Sequence, residues 1–151
     1  KNGKFKCRIL YGKMIQQPEY QPYQLKAIKS LKITEANDLE YNLKFSDRIA
    51  LNKLFDSRGT ADDVLIVKHG LITDTSYCNI AFFDGNDWFT PAQPLLKGVR
   101  RAFLLDQGLI KEADIEVSDL GKFSHFKCFN AMIGWEESFT AKTTAINRPQ
   151  F

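Results

Sequence analysis

Two turn signals, His69-Gly70 and Asp84-Gly85, fall inside the most apolar stretch of the chain and require it to fold back on itself twice. Asp62-Asp63 lead into Val64–Lys68; after the first turn the chain continues through Leu71–Phe83, and after the second it returns through Trp88-Phe89 to Thr90-Pro91. Apolar and β-branched runs broken by such pairs predict two consecutive antiparallel hairpins. Helical spacing predicts helices on either side of them. In Phe45–Arg58, Phe45 with Ile49 and Leu51 with Phe55 are i,i+4 pairs, Ser46 is a candidate N-cap and Gly59 a stop. Gly98–Gln107 reads as a second helix, ended by Gly108. Helices mixed with hairpin-paired strands predict an α+β fold rather than a doubly wound parallel sheet.

The flanks are less regular. Phe5, Cys7, Ile9 and Tyr11 alternate with Lys4, Lys6 and Arg8, which predicts a half-buried strand over Lys4–Met14. Gln16–Tyr23 holds Pro18 and Pro22, has no periodicity, and reads as an interdomain linker. Leu25–Ile33, Ile115–Val117 and Lys127–Ile133 read as strands, Ser118-Asp119 as the cap of a helical turn, and Glu136–Phe151 as a tail without pattern.

Charge and cysteine usage remove several classes of function. Lys+Arg 21 against Asp+Glu 18 gives +3, without the concentrated basic face of a nucleic-acid binder. The longest apolar runs are too short to span a bilayer, and no apolar segment follows Lys1-Asn2-Gly3-Lys4 as a signal peptide would require. Cys7, Cys78 and Cys128 form no C-x-x-C pair, which predicts buried free thiols in a reducing, cytoplasmic setting and no metal site.

Three segments could carry chemistry. Lys44, between Leu43 and Phe45 and just before a helix, is either a nucleophilic amine or a lysine whose stem snorkels along apolar surface. Leu96-Lys97-Gly98-Val99-Arg100-Arg101 opens a helix, where Gly98 permits close approach and the amides of Val99 and Arg100 would face an anion; the alternative is a plain turn with solvated arginines. Asp74, Thr75, Ser76 and Asn79 interrupt an apolar strand, either as a water-facing edge or as a buried carboxylate that needs a partner. His69 and His125 sit where surface or packing roles suffice.

The order of these segments, Lys44, then Gly70-Leu71-Ile72-Thr73-Asp74 with Asn79-Ile80, then Thr90-Pro91, then Gly98-Val99-Arg100-Arg101, resembles class IV of the pyridoxal-phosphate enzymes. That family includes branched-chain and D-amino-acid aminotransferases and 4-amino-4-deoxychorismate lyase. The resemblance runs from about Leu25 to Gly134 and implies the large domain of that fold over residues 24–151. Residues 1–23 would be the end of a small N-terminal domain plus a linker, with most of that domain lying before Lys1. By the same resemblance Lys44 would hold pyridoxal 5'-phosphate as a Schiff base and Asp74 would keep a proton on the pyridine nitrogen. Gly98, Val99 and Arg100 would bind the phosphate, while Arg48, Asn130 and Ala131 would meet the substrate. Most members have Glu where this chain has Asp74, Thr or Met where it has Arg100, and some lyases have a substrate-binding arginine near Tyr11.

The resemblance implies a homodimer acting on a small amino-acid-like substrate. Arg48, four residues after Lys44, and Asn130-Ala131-Met132 favour the lyase branch, which converts 4-amino-4-deoxychorismate to 4-aminobenzoate and pyruvate, over amino-acid transamination. The competing reading, supported by the short N-terminal part and by Asp74, is a non-catalytic relative that keeps the fold and binds a small anion or a partner chain.

Overall fold

The computed structural model describes residues 3–148; Lys1, Asn2 and residues 149–151, the outer ends of the expected small-domain segment and of the tail, lie outside them. In chain order the first elements are β1 (Phe5–Arg8), β2 (Glu19–Pro22), β3 (Leu31–Glu35), α1 (Ile49–Asp56) and β4 (Asp63–Lys68). Next come β5 (Leu71–Thr75), β6 (Asn79–Phe83), β7 (Trp88–Pro91), α2 (Val99–Asp106) and β8 (Lys111–Ala113). A 3₁₀ helix (Val117–Lys122), β9 (His125–Phe129), β10 (Thr140–Lys142), a 3₁₀ turn (Thr143–Ala145) and β11 (Ile146–Asn147) complete the chain.

β4 explains why two sheets stack. Leu65 and Val67 face a core shared with Ile80, Phe82, Phe126 and Cys128, while Val64 and Ile66 pack against Leu51 of α1, Tyr41 and Leu95. A strand covered on both faces must be apolar throughout, and β4 is buried from Asp63 to Val67. Its sheet has the order β11-β3-β4-β5; the second sheet has the order β10-β9-β6-β7-β8. The outer side of the second sheet buries Ala81 and Phe129 against Leu104 of α2 and Ile110. Full burial of Phe82 and Phe126 between the sheets stabilises the fold by about 1.5–3 kcal/mol each.

The α+β expectation holds, and the turns form where glycine was read. His69 and Gly70 have φ of 49° and 83°, the mirror-type turn that matches strand twist, and β4 pairs antiparallel with β5. Between the flanking β-strands, however, the pairing is parallel: β3 with β4, β7 with β8 and β11 with β3.

Several expectations need correction. Leu71–Phe83 is not one strand: it breaks at Ser76–Cys78, and β5 belongs to one sheet while β6 belongs to the other. Lys4–Met14 is not half-buried. β1 pairs only with β2, inside the segment read as a linker, and both strands are exposed because no sheet packs on them. Cys7 is therefore an exposed thiol, whereas Cys78 and Cys128 are buried. The first helix begins at Ile49 instead of Phe45: Phe45 stacks edge-on against Tyr41 at 6.0 Å, and Asp47 Oδ1, not Ser46, accepts the Ile49 amide at 2.9 Å. Near Ser118 the chain makes a 3₁₀ helix with a Glu116/Asp119 capping box, while Glu116 contributes only an isolated bridge to Leu71. The tail supplies β10 and β11. Among the described residues no helix is long and apolar enough to cross a membrane.

Candidate active site

The chain leaves one sheet and enters the other at Ser76–Cys78, and the polar residues on either side of that crossing meet. Asp74, near the end of β5, is buried; its Oδ1 accepts the Asn79 Nδ2–H at 2.9 Å and its Oδ2 accepts the Leu96 amide at 3.0 Å. Asn79, the first residue of β6, donates a second bond to the Leu96 carbonyl at 2.8 Å. Burial pushes the Asp74 carboxyl up to about 7, although the Asn79 amide, the Leu96 and Leu95 backbone and the Arg101 charge pull it down. A buried carboxylate held this way is half-ionised near neutrality and gains most from a cationic partner.

The turn that carries Leu96 leads directly into α2. Gly98 is its N-cap residue, in extended backbone, with no capping side chain. A Cβ on Gly98 would lie closer than 3.0 Å to Asn79 Oδ1, so any other residue there would push the Asn79 amide out of place. The first amides of α2, from Val99 and Arg100, lack intrahelical partners and carry the positive end of the helix dipole. Arg100 Nε and Arg101 Nε are each buried without a hydrogen-bond partner. Arg101 turns the other way. It is buried, donates to the Pro91 carbonyl at 2.9 Å and pairs with Glu112 at 2.5 Å, which fastens α2 to β7 and β8.

The Ser76–Cys78 crossing is gripped from both sides. Arg48 Nη2 donates to the Ser76 carbonyl at 2.7 Å and Nη1 to the Tyr41 hydroxyl at 3.2 Å. From the loop just after β9, Asn130 Nδ2 donates to the Tyr77 carbonyl at 3.1 Å and to Cys78 Sγ at 3.4 Å. Asn130 Oδ1 accepts the amides of Met132 and Ile133, so both ends of its side chain are used within the fold and Ala131 is exposed at the tip of the loop. Lys44 lies four residues before Arg48 on the exposed segment leading into α1. Lys6 of β1 lies close by: burial, then the charges of Lys44, Arg48 and Arg8, lower its pKa.

Asp74, Gly98, Val99 and Arg100 thus share one corner, and Arg48 and Asn130 hold the segment that forms its wall. Sequence reasoning gave Asn79 no role; the available signal was an amide side chain five positions beyond Asp74, just after the polar break. It also passed over Asp63, fully buried at the start of β4, whose Oδ1 accepts the Val64 amide at 2.7 Å and whose Oδ2 has no partner. Burial raises the Asp63 pKa, with the Ser76 and Thr75 hydroxyls near enough to oppose it.

The arrangement has relatives of known fold. The chain is 41% identical over 133 residues to an uncharacterized protein of Haemophilus influenzae, covering 88% of this chain and 71% of that one. A solved structure of a candidate 4-amino-4-deoxychorismate lyase from Haemophilus somnus superposes with TM-score 0.83 at 37% identity, over 86% of this chain and 67% of the other. A hypothetical aminotransferase from Mycobacterium tuberculosis, in its PLP-bound form, shares the fold at TM-score 0.68 and 14% identity, over 87% and 56% of the two chains. The family model for amino-transferase class IV matches residues 9–136, and the chain belongs to that family.

Proposed function

We propose that this chain is the cofactor-binding part of a pyridoxal 5'-phosphate enzyme of the aminodeoxychorismate lyase type. The observation that carries the reading is the corner itself: a buried carboxylate, Asp74, tied through Asn79 and Leu96 to a glycine-opened helix N-terminus. Pyridoxal phosphate presents a basic pyridine nitrogen at one end and a phosphate at the other, and the corner offers a group for each. The glycine that a Cβ would block and the partnerless Arg100 Nε fit the anionic end. Asp74 would hold the proton at the pyridine nitrogen, the amides of Val99 and Arg100 would bind the phosphate, and Lys44 would hold the aldehyde carbon. When bound, the protonated ring supplies an electron sink for a substrate carbanion.

The chain's own residues then move protons. Lys44 Nζ, free once the substrate amine has taken its place, would take the ring proton at the amine-bearing carbon of 4-amino-4-deoxychorismate. It returns a proton to the methylene carbon of the departing enolpyruvyl group, so that 4-aminobenzoate and pyruvate together account for every atom of the substrate. Arg48, on the Ser76 wall, and the Ala131 amide are the groups assigned to substrate carboxylates. The similarity to the Haemophilus somnus structure supports the lyase branch over transamination.

We also read residues 1–23 as the end of a small domain and the protein as a cytoplasmic homodimer. The apolar groups Leu43, Phe45 and Ile49 around Lys44 are exposed on the single chain and suit cover by a second copy.

Pyridoxal phosphate added to the purified protein is expected to give a yellow complex. Borohydride should bleach it and fix the label on Lys44, and pyruvate should appear from aminodeoxychorismate. A colourless protein, or a label that survives Lys44→Ala, would leave the non-catalytic, anion-binding reading in its place.

A further inference from the structure

Asp74 and Gly98 share no hydrogen bond, yet one side chain touches both. Asn79 gives one N–H to Asp74 Oδ1 at 2.9 Å and one to the Leu96 carbonyl at 2.8 Å, while its Oδ1 lies against Gly98. The Leu96 amide closes the ring by donating to Asp74 Oδ2 at 3.0 Å. Both donor positions of the amide are therefore used, and its orientation is fixed from three sides. Asn79 is itself buried at the head of β6, whereas Asp74 belongs to the other sheet. The amide is thus a clamp between two sheets and the turn that starts α2.

We propose that Asn79 is a positioning residue that locks the Asp74 carboxylate to the Leu96–Gly98 turn, so that the carboxylate end and the anion end of the corner act as one rigid unit. Packing closes the alternative in which the two ends adjust separately. Any shift of the turn toward β6 drives Gly98 into Asn79 Oδ1, and any rotation of Asn79 removes a donor from a buried carboxylate, which is costly in a site of low polarity. The other groups facing Asp74 do not substitute for it. Arg101 of α2 is engaged by Pro91 and Glu112, and the thiols of Cys78 and Cys128 are held neutral by burial. Asp63, from β4, adds only like charge near Cys78.

The significance for pyridoxal phosphate rests on the proposed function, but the lock itself does not, and it is testable without cofactor. The readout is the titration midpoint of the Asp74 side chain, followed by carboxyl carbon NMR and assigned with Asp74→Asn. Asn79→Ala should raise that midpoint by roughly one unit, a tenfold gain in proton affinity. Gly98→Ala, whose Cβ displaces the amide, should raise it too, although Gly98 lies outside the carboxylate's hydrogen bonds. In Asn79→Ala/Gly98→Ala the second substitution should add nothing, because the obstruction has gone.

A midpoint unmoved by Asn79→Ala overturns the proposal, and so does an equal Gly98→Ala shift in both backgrounds. If Asn79→Ala does not fold, the native-background Gly98→Ala shift decides alone: a rise supports the lock and no rise overturns it. Pyridoxal phosphate titrated into the same proteins separates the two readings. A native chain that shows the coupled shifts but binds no cofactor refutes the proposed function and leaves the lock standing.

Discussion

The guanidinium of Arg48 donates to the carbonyl of Ser76, 2.7 Å away, and joins the start of α1 to the point where the chain changes sheets. It binds the Tyr41 hydroxyl as well, and Tyr41 in turn packs beneath Phe45. The segment that carries Lys44 is thereby framed at both ends, by Tyr41 and by Arg48.

Replacing Arg48 removes both bonds at once. Arg48→Ala is expected to cost about 1–3 kcal/mol in urea unfolding, in the range of charge-assisted hydrogen bonds. Arg48→Lys should recover little, because an ammonium lacks the planar fork that reaches a carbonyl and a hydroxyl together. Equal stability of the native chain and Arg48→Ala would contradict this account.

The high pKa of Asp74 gives the protein a pH-dependent stability of definite sign. Between the ordinary carboxylate value of 3.8 and about 7 the folded state holds a proton that the unfolded state has released. Its contribution is therefore fully present below 3.8 and is lost as pH rises through 7. Without cofactor, the native chain should lose on the order of 1–4 kcal/mol more than Asp74→Asn between pH 5 and pH 8. Denaturation midpoints of the two proteins across that range check it. Asp63 shifts in the same direction but is common to both, so it cancels in the difference.

Lys44 should separate stability from chemistry. It is exposed, and Lys44→Ala is expected to change unfolding free energy by less than about 0.5 kcal/mol. The same substitution should abolish borohydride-fixed labelling by pyridoxal phosphate, read by intact mass.

The pair of Arg101 and Glu112 tests how α2 is held. Arg101 is 4% exposed and Glu112 half-exposed, so the arginine depends on its partner more than the reverse. Glu112→Ala should destabilise by about 1–3 kcal/mol because a buried cation keeps only the Pro91 carbonyl. Arg101→Met, which fills the volume without charge, should cost less than Glu112→Ala in the same thermal or urea assay.

Much of the central fold was legible because its signals are local. His69-Gly70 had to turn, Gly108 had to end α2, and both have positive φ in the folded chain. The residues that form the corner were legible in part. Asp74, Asn79 and the Gly98-Val99-Arg100 segment stood out as polar or glycine interruptions, but nothing marked Asn79 as the partner of Asp74, and Asp63 read only as the lead into a strand. Their partners, Leu96 for Asn79 and the Ser76 neighbourhood for Asp63, are not adjacent in sequence.

The run Leu71–Phe83 marks the boundary between the two kinds of information. Its apolar content and the turn signals beside it, both local properties, marked it as β-structure and left Asp74 either at a water-facing edge or buried and in need of a partner. Whether it forms one strand or two depends on what lies above and below it. Two stacked sheets each bury part of the run, and Arg48 and Asn130 arrive from distant segments to hold the break at Ser76–Cys78. In the same way the period of two in Phe5–Arg8 set a strand but not its burial, because burial needs an opposing surface and β2 supplies only an edge. Local sequence determines backbone conformation through turn geometry and periodicity. The tertiary structure alone decides which polar groups lose water together, and that shared desolvation turns Asp74, Asn79 and Gly98 into a site.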